Sequence, residues 1–231
     1  MYLEDNKLTA PDQTRRFHTR VVAQHRLSET GYELILERDG LEFKAGRLIM
    51  IHGRNVTEDR SYTVASGEND EHLHVLYRYI PTGKLTPQLI NLKPGNTLEV
   101  SGPYGEFIIR DPARPLLFIA TGTGVAPCRA YIRTHRDLDL TLIHGARVLD
   151  DLFYRHEFAP YKYHPCITQE NGEAYRGRVT EFLKESKIDI NSHAYLCGAY
   201  EMIYDVQDLL VERGMPAEHI FMEGYYYRLD M

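Results

Sequence analysis

Apolar and polar positions alternate in short runs over the first half of the chain and merge into unbroken apolar stretches over the second. From about Arg16 to Asp111, apolar runs at 31–37, 47–51, 61–65 and 73–80 are broken by turn residues at Asp39-Gly40, 67–70 and 81–83. Runs of that length with turn signals between them predict antiparallel strands in a barrel or sandwich. One short helix is expected within this half. Thr86 reads as its N-cap and Pro87 as its first helical residue, with an apolar face to Leu92 and a stop at Lys93-Pro94-Gly95.

After Asp111-Pro112 the rhythm changes. Residues 116–120 are continuously apolar, as in a strand buried on both faces. A helical pattern follows over 126–135, a second strand over 140–146, a helix over 150–158 and a third strand over 163–169. A helix over 179–187, a fourth strand over 194–198, a helix over 200–213 and a fifth strand over 219–223 complete the series. Strands alternating with helices predict a parallel sheet covered on both faces. The expected architecture is an antiparallel β-barrel or sandwich over residues 16–112 and a doubly wound α/β domain over 113–231, and the barrel is the form that the family resemblance given below implies. The boundary falls in the charged, two-proline stretch 110–114.

Composition fits this picture. A chain of 231 residues, 43% of them hydrophobic, has material for one large domain or two small ones. No apolar run approaches the roughly 20 residues a bilayer span needs. The opening segment carries acids and no apolar stretch, so no signal peptide is expected. A net charge of −6 gives no reason to expect nucleic acid. The three cysteines, Cys128, Cys166 and Cys197, are odd in number and widely spaced. That excludes a disulfide framework or a four-thiolate metal site within this chain, no metal is expected, and a reducing cytoplasm is the expected location.

The clearest chemical signal is the turn Thr121-Gly122-Thr123-Gly124-Val125-Ala126-Pro127, which follows an apolar strand and opens a helix. Glycines there let backbone approach a phosphate, and the helix start supplies N–H groups. The alternative is a tight strand-to-helix turn with no ligand. The second strand ends in His144-Gly145-Ala146-Arg147, and an arginine at a carboxyl end suits a 2′-phosphate where an acid would suit a ribose hydroxyl. Arg176 and Arg178 follow the third strand and could join it; a solvated surface charge is the plain reading of each. The fourth strand ends in Cys197-Gly198, small enough for a flat ring to come close, though a lone buried cysteine is more often packing. In the first half, Arg60-Ser61-Tyr62-Thr63 combines a cation, a flat ring and hydroxyls at a strand start. Gly83-Lys84-Leu85-Thr86 leads into the expected helix and either offers a second phosphate contact or simply caps that helix.

Taken together, these segments resemble the ferredoxin–NADP reductase family over nearly the whole chain. Arg60–Thr63 is similar to the family's Arg-x-Tyr-Ser/Thr flavin motif. Residues 81–86, Pro-Thr-Gly-Lys-Leu-Thr, resemble the second flavin motif of bacterial members. Residues 121–127 resemble the nicotinamide nucleotide motif, and Cys197-Gly198 the pair placed beside the reacting nicotinamide. The resemblance implies a flavin domain followed by a nucleotide domain, with FAD and NADP(H) as cofactors. It implies that Arg60 pairs with flavin phosphate, Tyr62 lies against the isoalloxazine and Thr63 bonds near its N5. Ser61, Leu76 and Gly83, Lys84, Leu85 and Thr86 complete the flavin side. Thr121, Gly122, Thr123, Gly124, Arg147, Arg176, Arg178, Cys197 and Gly198 form the nucleotide side. Tyr62, Thr63, Cys197 and Glu223 form the reacting centre, where Glu223 orients the rings or relays a proton.

The sequence departs from the family pattern twice. Thr168-Gln169-Glu170 stands where bacterial NADP-dependent members often carry Ser/Thr-Arg-Glu. The C-terminal stretch from Glu223 to Met231 matches neither known family ending, and Tyr225 is the first choice to cover the flavin's other face. The implied activity is electron transfer between NADP(H) and an external one-electron carrier, ferredoxin or flavodoxin. An NAD(P)H:flavin reductase that releases reduced flavin is the alternative, and an electron-transfer or regulatory component of a larger complex ranks third.

Overall fold

The computed structural model describes residues 14–53, 59–172 and 174–225, residue 225 by its backbone alone. The alternating first half forms β1 (Arg15–Arg26), β2 (Gly31–Glu37), β3 (Leu48–His52), β4 (Arg60–Thr63), β5 (His72–Arg78), helix α1 (Thr86–Leu89) and β6 (Thr97–Tyr104). The strands lie in the order β4-β3-β6-β1-β2-β5, and every neighbouring pair is antiparallel. A bridge between Val64 and Val75 ties the two edges, so the sheet closes into a near-complete barrel and protects its own rims. Its inward positions, among them Leu34, Leu36, Ile49, Ile51, Leu73, Val75 and Val100, are solvent-free.

Helix α1 corrects the expected cap. Leu85 occupies the N-cap and Thr86 is the first helical residue. The Thr86 hydroxyl accepts from the Ile80 N–H at 3.0 Å and donates to the Ile80 carbonyl at 3.1 Å, closing the 80–86 loop instead of capping the helix.

The second half forms β7 (Leu116–Thr121), α2 (Ala126–Thr134), β8 (Leu140–Ala146), α3 (Arg155–Phe158), β9 (Lys162–Ile167), β10 (Tyr175–Arg176), α4 (Val179–Glu185), β11 (His193–Ala199), α5 (Tyr200–Glu212) and β12 (Ile220–Tyr225). All six strands are parallel, in the order β10-β9-β8-β7-β11-β12. The chain therefore builds outward from β7 on one side, then crosses to the other. The expected helix over 150–158 is broken. A 3-10 turn covers Leu149–Asp151, and Tyr154 takes a left-handed conformation (φ 59°) before α3. Its ring lies 4.1 Å from the Arg129 guanidinium, a tertiary contact that overrides local helix preference. The two-residue strand β10 is too short for any apolar pattern to announce it. Among the described residues no helix is long and apolar enough to cross a membrane.

Two layers of contact join the halves. Ala45, Ala65, Leu76 and Phe107 of the barrel share one apolar cluster with Phe118, Ala120, Tyr131, Tyr195 and Cys197 of the sheet. Beside it lies a buried ionic knot. Glu33 Oε1 accepts from His74 Nδ1 at 2.9 Å, Arg129 Nη1 at 3.1 Å and the Tyr154 hydroxyl at 2.9 Å. Arg129 Nε also donates to Glu157 at 2.9 Å. Burial pushes the Glu33 carboxyl up, but the His74 and Tyr154 hydrogen bonds and the Arg129 charge outweigh it and hold the group below its ordinary value. Its stabilising effect is complete above the ordinary carboxylate range and is lost as pH falls through the lowered value.

Replacing Arg129 with Met strands the buried Glu33 charge. The unfolding free energy from urea denaturation at pH 7 is expected to fall by about 3–5 kcal/mol. An unchanged midpoint would show that the knot does not hold the two halves.

Candidate functional site

Open parallel sheets bind ligands beyond the carboxyl ends of their strands, where successive connections leave in opposite directions. Here that point lies between β7 and β11. After β7 a 3-10 turn, Gly122–Val125, leads directly into α2, and β11 ends in Cys197-Gly198-Ala199. The two segments are locked together. Gly198 has φ 136°, and a Cβ there would lie 2.3 Å from Thr121 Oγ1. A Cβ on Gly124 would lie 2.3 Å from the Cys197 carbonyl oxygen, so neither position accepts a side chain. The Ala199 N–H donates to Thr121 Oγ1 at 3.1 Å, completing the lock.

The turn is held from below by His144, a buried residue of β8 whose Nε2 lies 3.2 Å from the Gly122 carbonyl oxygen. Burial drives the His144 pKa down to about 4, and the Gly122 contact offsets only part of that. The ring is therefore neutral at pH 7, with its Nε2 proton donated to the carbonyl. The turn is flanked by Arg78 at the end of β5, whose Nη2 lies 3.9 Å from where a Cβ on residue 122 would stand. That nitrogen donates to Asp151 Oδ2 at 2.8 Å, and the Ser28 hydroxyl donates to Asp151 Oδ1 at 2.7 Å. Sequence reasoning did not place His144, Arg78 or Asp151 in the site. Arg78 and Asp151 are 73 positions apart, and no local pattern announces the pair.

From the barrel, β4 presents its motif to the same edge. Arg60 and Ser61 are exposed, Tyr62 is half-buried with its ring edge-on to Tyr77 at 6.5 Å, and Thr63 is buried. The Thr63 hydroxyl donates to Glu223 Oε1 at 2.7 Å. Glu223 on β12 pairs in register with Cys197 on β11. Burial raises the Glu223 carboxyl to about 7, and the Thr63 hydrogen bond lowers it only in part. Cys197 is fully buried in the apolar cluster that also holds Leu76 and Tyr131.

The remaining sequence-derived positions are spread around this centre. In the 83–86 segment Lys84 is exposed, Gly83 half-buried, and Leu85 and Thr86 buried. Arg147 is exposed just past β8, where its carbonyl accepts the Gln169 N–H at 2.9 Å. Arg176 donates to the Asn171 side chain at 2.6 Å, and Arg178 is the N-cap of α4. Tyr225 pairs in register with Ala199, while its side chain and residues 226–231 lie outside the described residues. The donor set fits two phosphorylated cofactors. The barrel carries the cations Arg60 and Lys84, the sheet edge carries Arg147, Arg176 and Arg178, and side-chain-free backbone stands between them.

Fold and site define a two-domain oxidoreductase with a flavin barrel and a nicotinamide nucleotide sheet. Residues 19–109 match the profile described as oxidoreductase FAD-binding domain, and residues 118–208 that of oxidoreductase NAD-binding domain. Ferredoxin–NADP reductase B of Sorangium cellulosum is 31% identical over 245 residues, covering 92% of this chain and 99% of that protein. The chain belongs to the ferredoxin–NADP reductase family, and its cofactors are FAD and NAD(P)(H). One component of the Na(+)-translocating NADH-quinone reductase of Psychrobacter cryohalolentis is 30% identical over 167 residues, 63% of this chain, and the match spans 41% of that relative's length. A ferredoxin NADP+ reductase from Neisseria gonorrhoeae, solved with bound FAD and NADP, superposes with a TM-score of 0.81 at 19% identity. That match covers 91% of this chain and 99% of the other, a likeness of fold.

The raised Glu223 pKa has a measurable consequence. Between the ordinary value of 4.5 and about 7, the folded protein holds a proton that the unfolded chain has released. Stability therefore falls as pH rises through that window, by up to about 3 kcal/mol. Glu223→Gln is expected to remove this fall, read from urea midpoints at pH 5 and pH 8. An identical pH slope in the variant would place the Glu223 proton elsewhere.

Proposed function

We propose that this protein passes electrons between NADP(H) and a one-electron protein carrier such as ferredoxin or flavodoxin. In this reading residues 16–112 keep FAD bound throughout the cycle and residues 113–231 bind NADP(H). The observation that carries it is the 2.7 Å bond between Thr63 and Glu223. It sets the strand with the flavin-like motif against the switch point of the nucleotide sheet. When bound, FAD exchanges a hydride with nicotinamide and single electrons with a carrier.

The chain's own residues then divide the work. Arg60 and Lys84 bind flavin phosphate, with Ser61, Gly83, Leu85 and Thr86 beside them. Tyr62 offers a flat face to the ring, Leu76 backs it from the apolar cluster, and Tyr225 is assigned the opposite face. Thr121, Gly122, Thr123 and Gly124 bring backbone to the dinucleotide pyrophosphate, with Arg78 as its cation. Arg147, Arg176 and Arg178 bind the 2′-phosphate. Cys197 and Gly198 leave room for the nicotinamide and keep water from it. Glu223, its carboxyl raised to about 7 and oriented by the Thr63 hydroxyl, holds a proton beside the reacting rings. All three cysteines are buried as thiols, which supports a cytoplasmic location.

Purified protein is expected to stay yellow after desalting. A colourless protein that turns free flavin over with NADPH would favour the flavin-reductase reading instead. Arg60→Ala is expected to weaken flavin binding by about tenfold or more, the loss of a charge-assisted phosphate contact, measured as flavin per protein. Full retention would remove Arg60 from the flavin site.

Arg147→Ala is expected to raise the KM for NADPH by about tenfold and leave that for NADH nearly unchanged. An equal effect on both, or a wild-type preference for NADH, would count against the 2′-phosphate assignment.

A further inference from the structure

We propose that Asp151 is a positioning residue for nucleotide binding, holding the Arg78 guanidinium at the Gly122 turn in the orientation that meets the pyrophosphate. The proposal rests on the reading of the turn given above.

Asp151 belongs to the nucleotide half, yet both of its side-chain partners come from the barrel. One carboxylate oxygen accepts from Arg78 at 2.8 Å and the other from Ser28 at 2.7 Å. Ser28 is fixed in turn, because its hydroxyl oxygen accepts the Gly31 N–H at 2.9 Å. The backbone that carries Asp151 is pinned as well, since the Leu149 N–H at the start of its 3-10 turn donates to Glu170 at 2.8 Å. The Asp151 side chain is 9% exposed. It is a buried acid with a fixed position.

Arg78 differs. Its side chain keeps 26% exposure, and its guanidinium borders the turn. A guanidinium has five N–H donors in a rigid fork, so the Asp151 bond leaves most of the fork for an anion. An unanchored arginine loses rotamer freedom when it binds a phosphate. One already held by a buried carboxylate has lost it beforehand, and binding is stronger by that difference. The cross-half placement adds a condition: Arg78 is aimed correctly only when barrel and sheet are docked.

The test is equilibrium calorimetry on the oxidised, FAD-loaded protein, with two probes. NADP+ contains the pyrophosphate; adenosine 2′-phosphate contains the adenosine end with neither phosphate of that pyrophosphate. Asp151→Asn is expected to weaken NADP+ binding about tenfold, the effect of one lost charge-assisted hydrogen bond, and to leave the fragment within about twofold. Arg78→Ala should behave alike, and the double variant should bind NADP+ no more weakly than Arg78→Ala alone. Unchanged NADP+ binding in Asp151→Asn, an equal loss for both probes, or additive losses in the double variant would each overturn the proposal. Should Asp151→Asn fail to fold, Arg78→Lys keeps the charge but loses the fork, and undiminished NADP+ binding by that variant would overturn it equally. A wild-type protein that binds neither probe would overturn the underlying reading of the turn itself.

Discussion

One oxygen of Glu33 governs how the two halves sit. It collects donors from His74 on the barrel and from Arg129 and Tyr154 on the nucleotide half. Apolar contact between Ala45, Ala65, Leu76, Phe107 and the sheet supplies area without direction, because hydrophobic burial tolerates sliding. Hydrogen bonds to a buried carboxylate do not. A shift of about 1 Å between the halves would break bonds whose partners have no water to replace them. The knot is reinforced further out by Arg133, which reaches Asp70 across the seam at 2.6 Å and Glu157 within its own half at 3.2 Å. Everything proposed for the site, from the Thr63–Glu223 bond to the Asp151–Arg78 pair, requires that registration.

The two glutamates at the seam show how surroundings set the charge of one side chain. Glu33 faces Arg129 and His74 and is held below its ordinary value, so it stays ionised as a fixed anchor. Glu223 is half-buried, with no cation among the described residues to set against its desolvation, and the Thr63 hydroxyl offsets only part of it, so it rises to about 7. A structural acid needs a permanent charge. An acid that exchanges a proton, as proposed above for Glu223, needs a value near the working pH. The charge balance at each carboxylate separates the two.

Much of this arrangement was legible in the sequence, because local patterns encode it. The strands at Gly31–Glu37 and Leu140–Ala146 fall at the residues where alternation and apolar continuity placed them. The glycine turn was legible because it follows an apolar strand and opens a helix, whereas its place at the switch point comes from the strand order, which no local pattern gives. What escaped notice depends on contacts across long separations. Glu33 sits inside a strand whose neighbours are nearly all buried, so period-two reasoning carries no sign of its ionic partners. Residues 152–154 look helical, and the left-handed turn at Tyr154 goes with tertiary contacts to Arg129 and Glu33 that the local sequence does not show. Arg78 and Asp151 are ordinary charged residues until the halves dock.

That docking also accounts for the residue types at the end of β11. Position 197 lies inside an apolar cluster, in register with both Ala120 and Glu223. A larger side chain would push β11 away from the Gly122–Val125 turn, which already stands in contact with the Cys197 carbonyl at Gly124. A serine would fit by volume, but its hydroxyl would need a hydrogen-bond partner among apolar neighbours or would compete for Glu223. A thiol is small, weakly hydrogen-bonding and content among hydrocarbons. Cys197 therefore suits this place without any covalent role, because it lets a raised carboxyl, a glycine turn and a flavin-motif strand approach one another without adding a strongly polar group that would need a partner of its own.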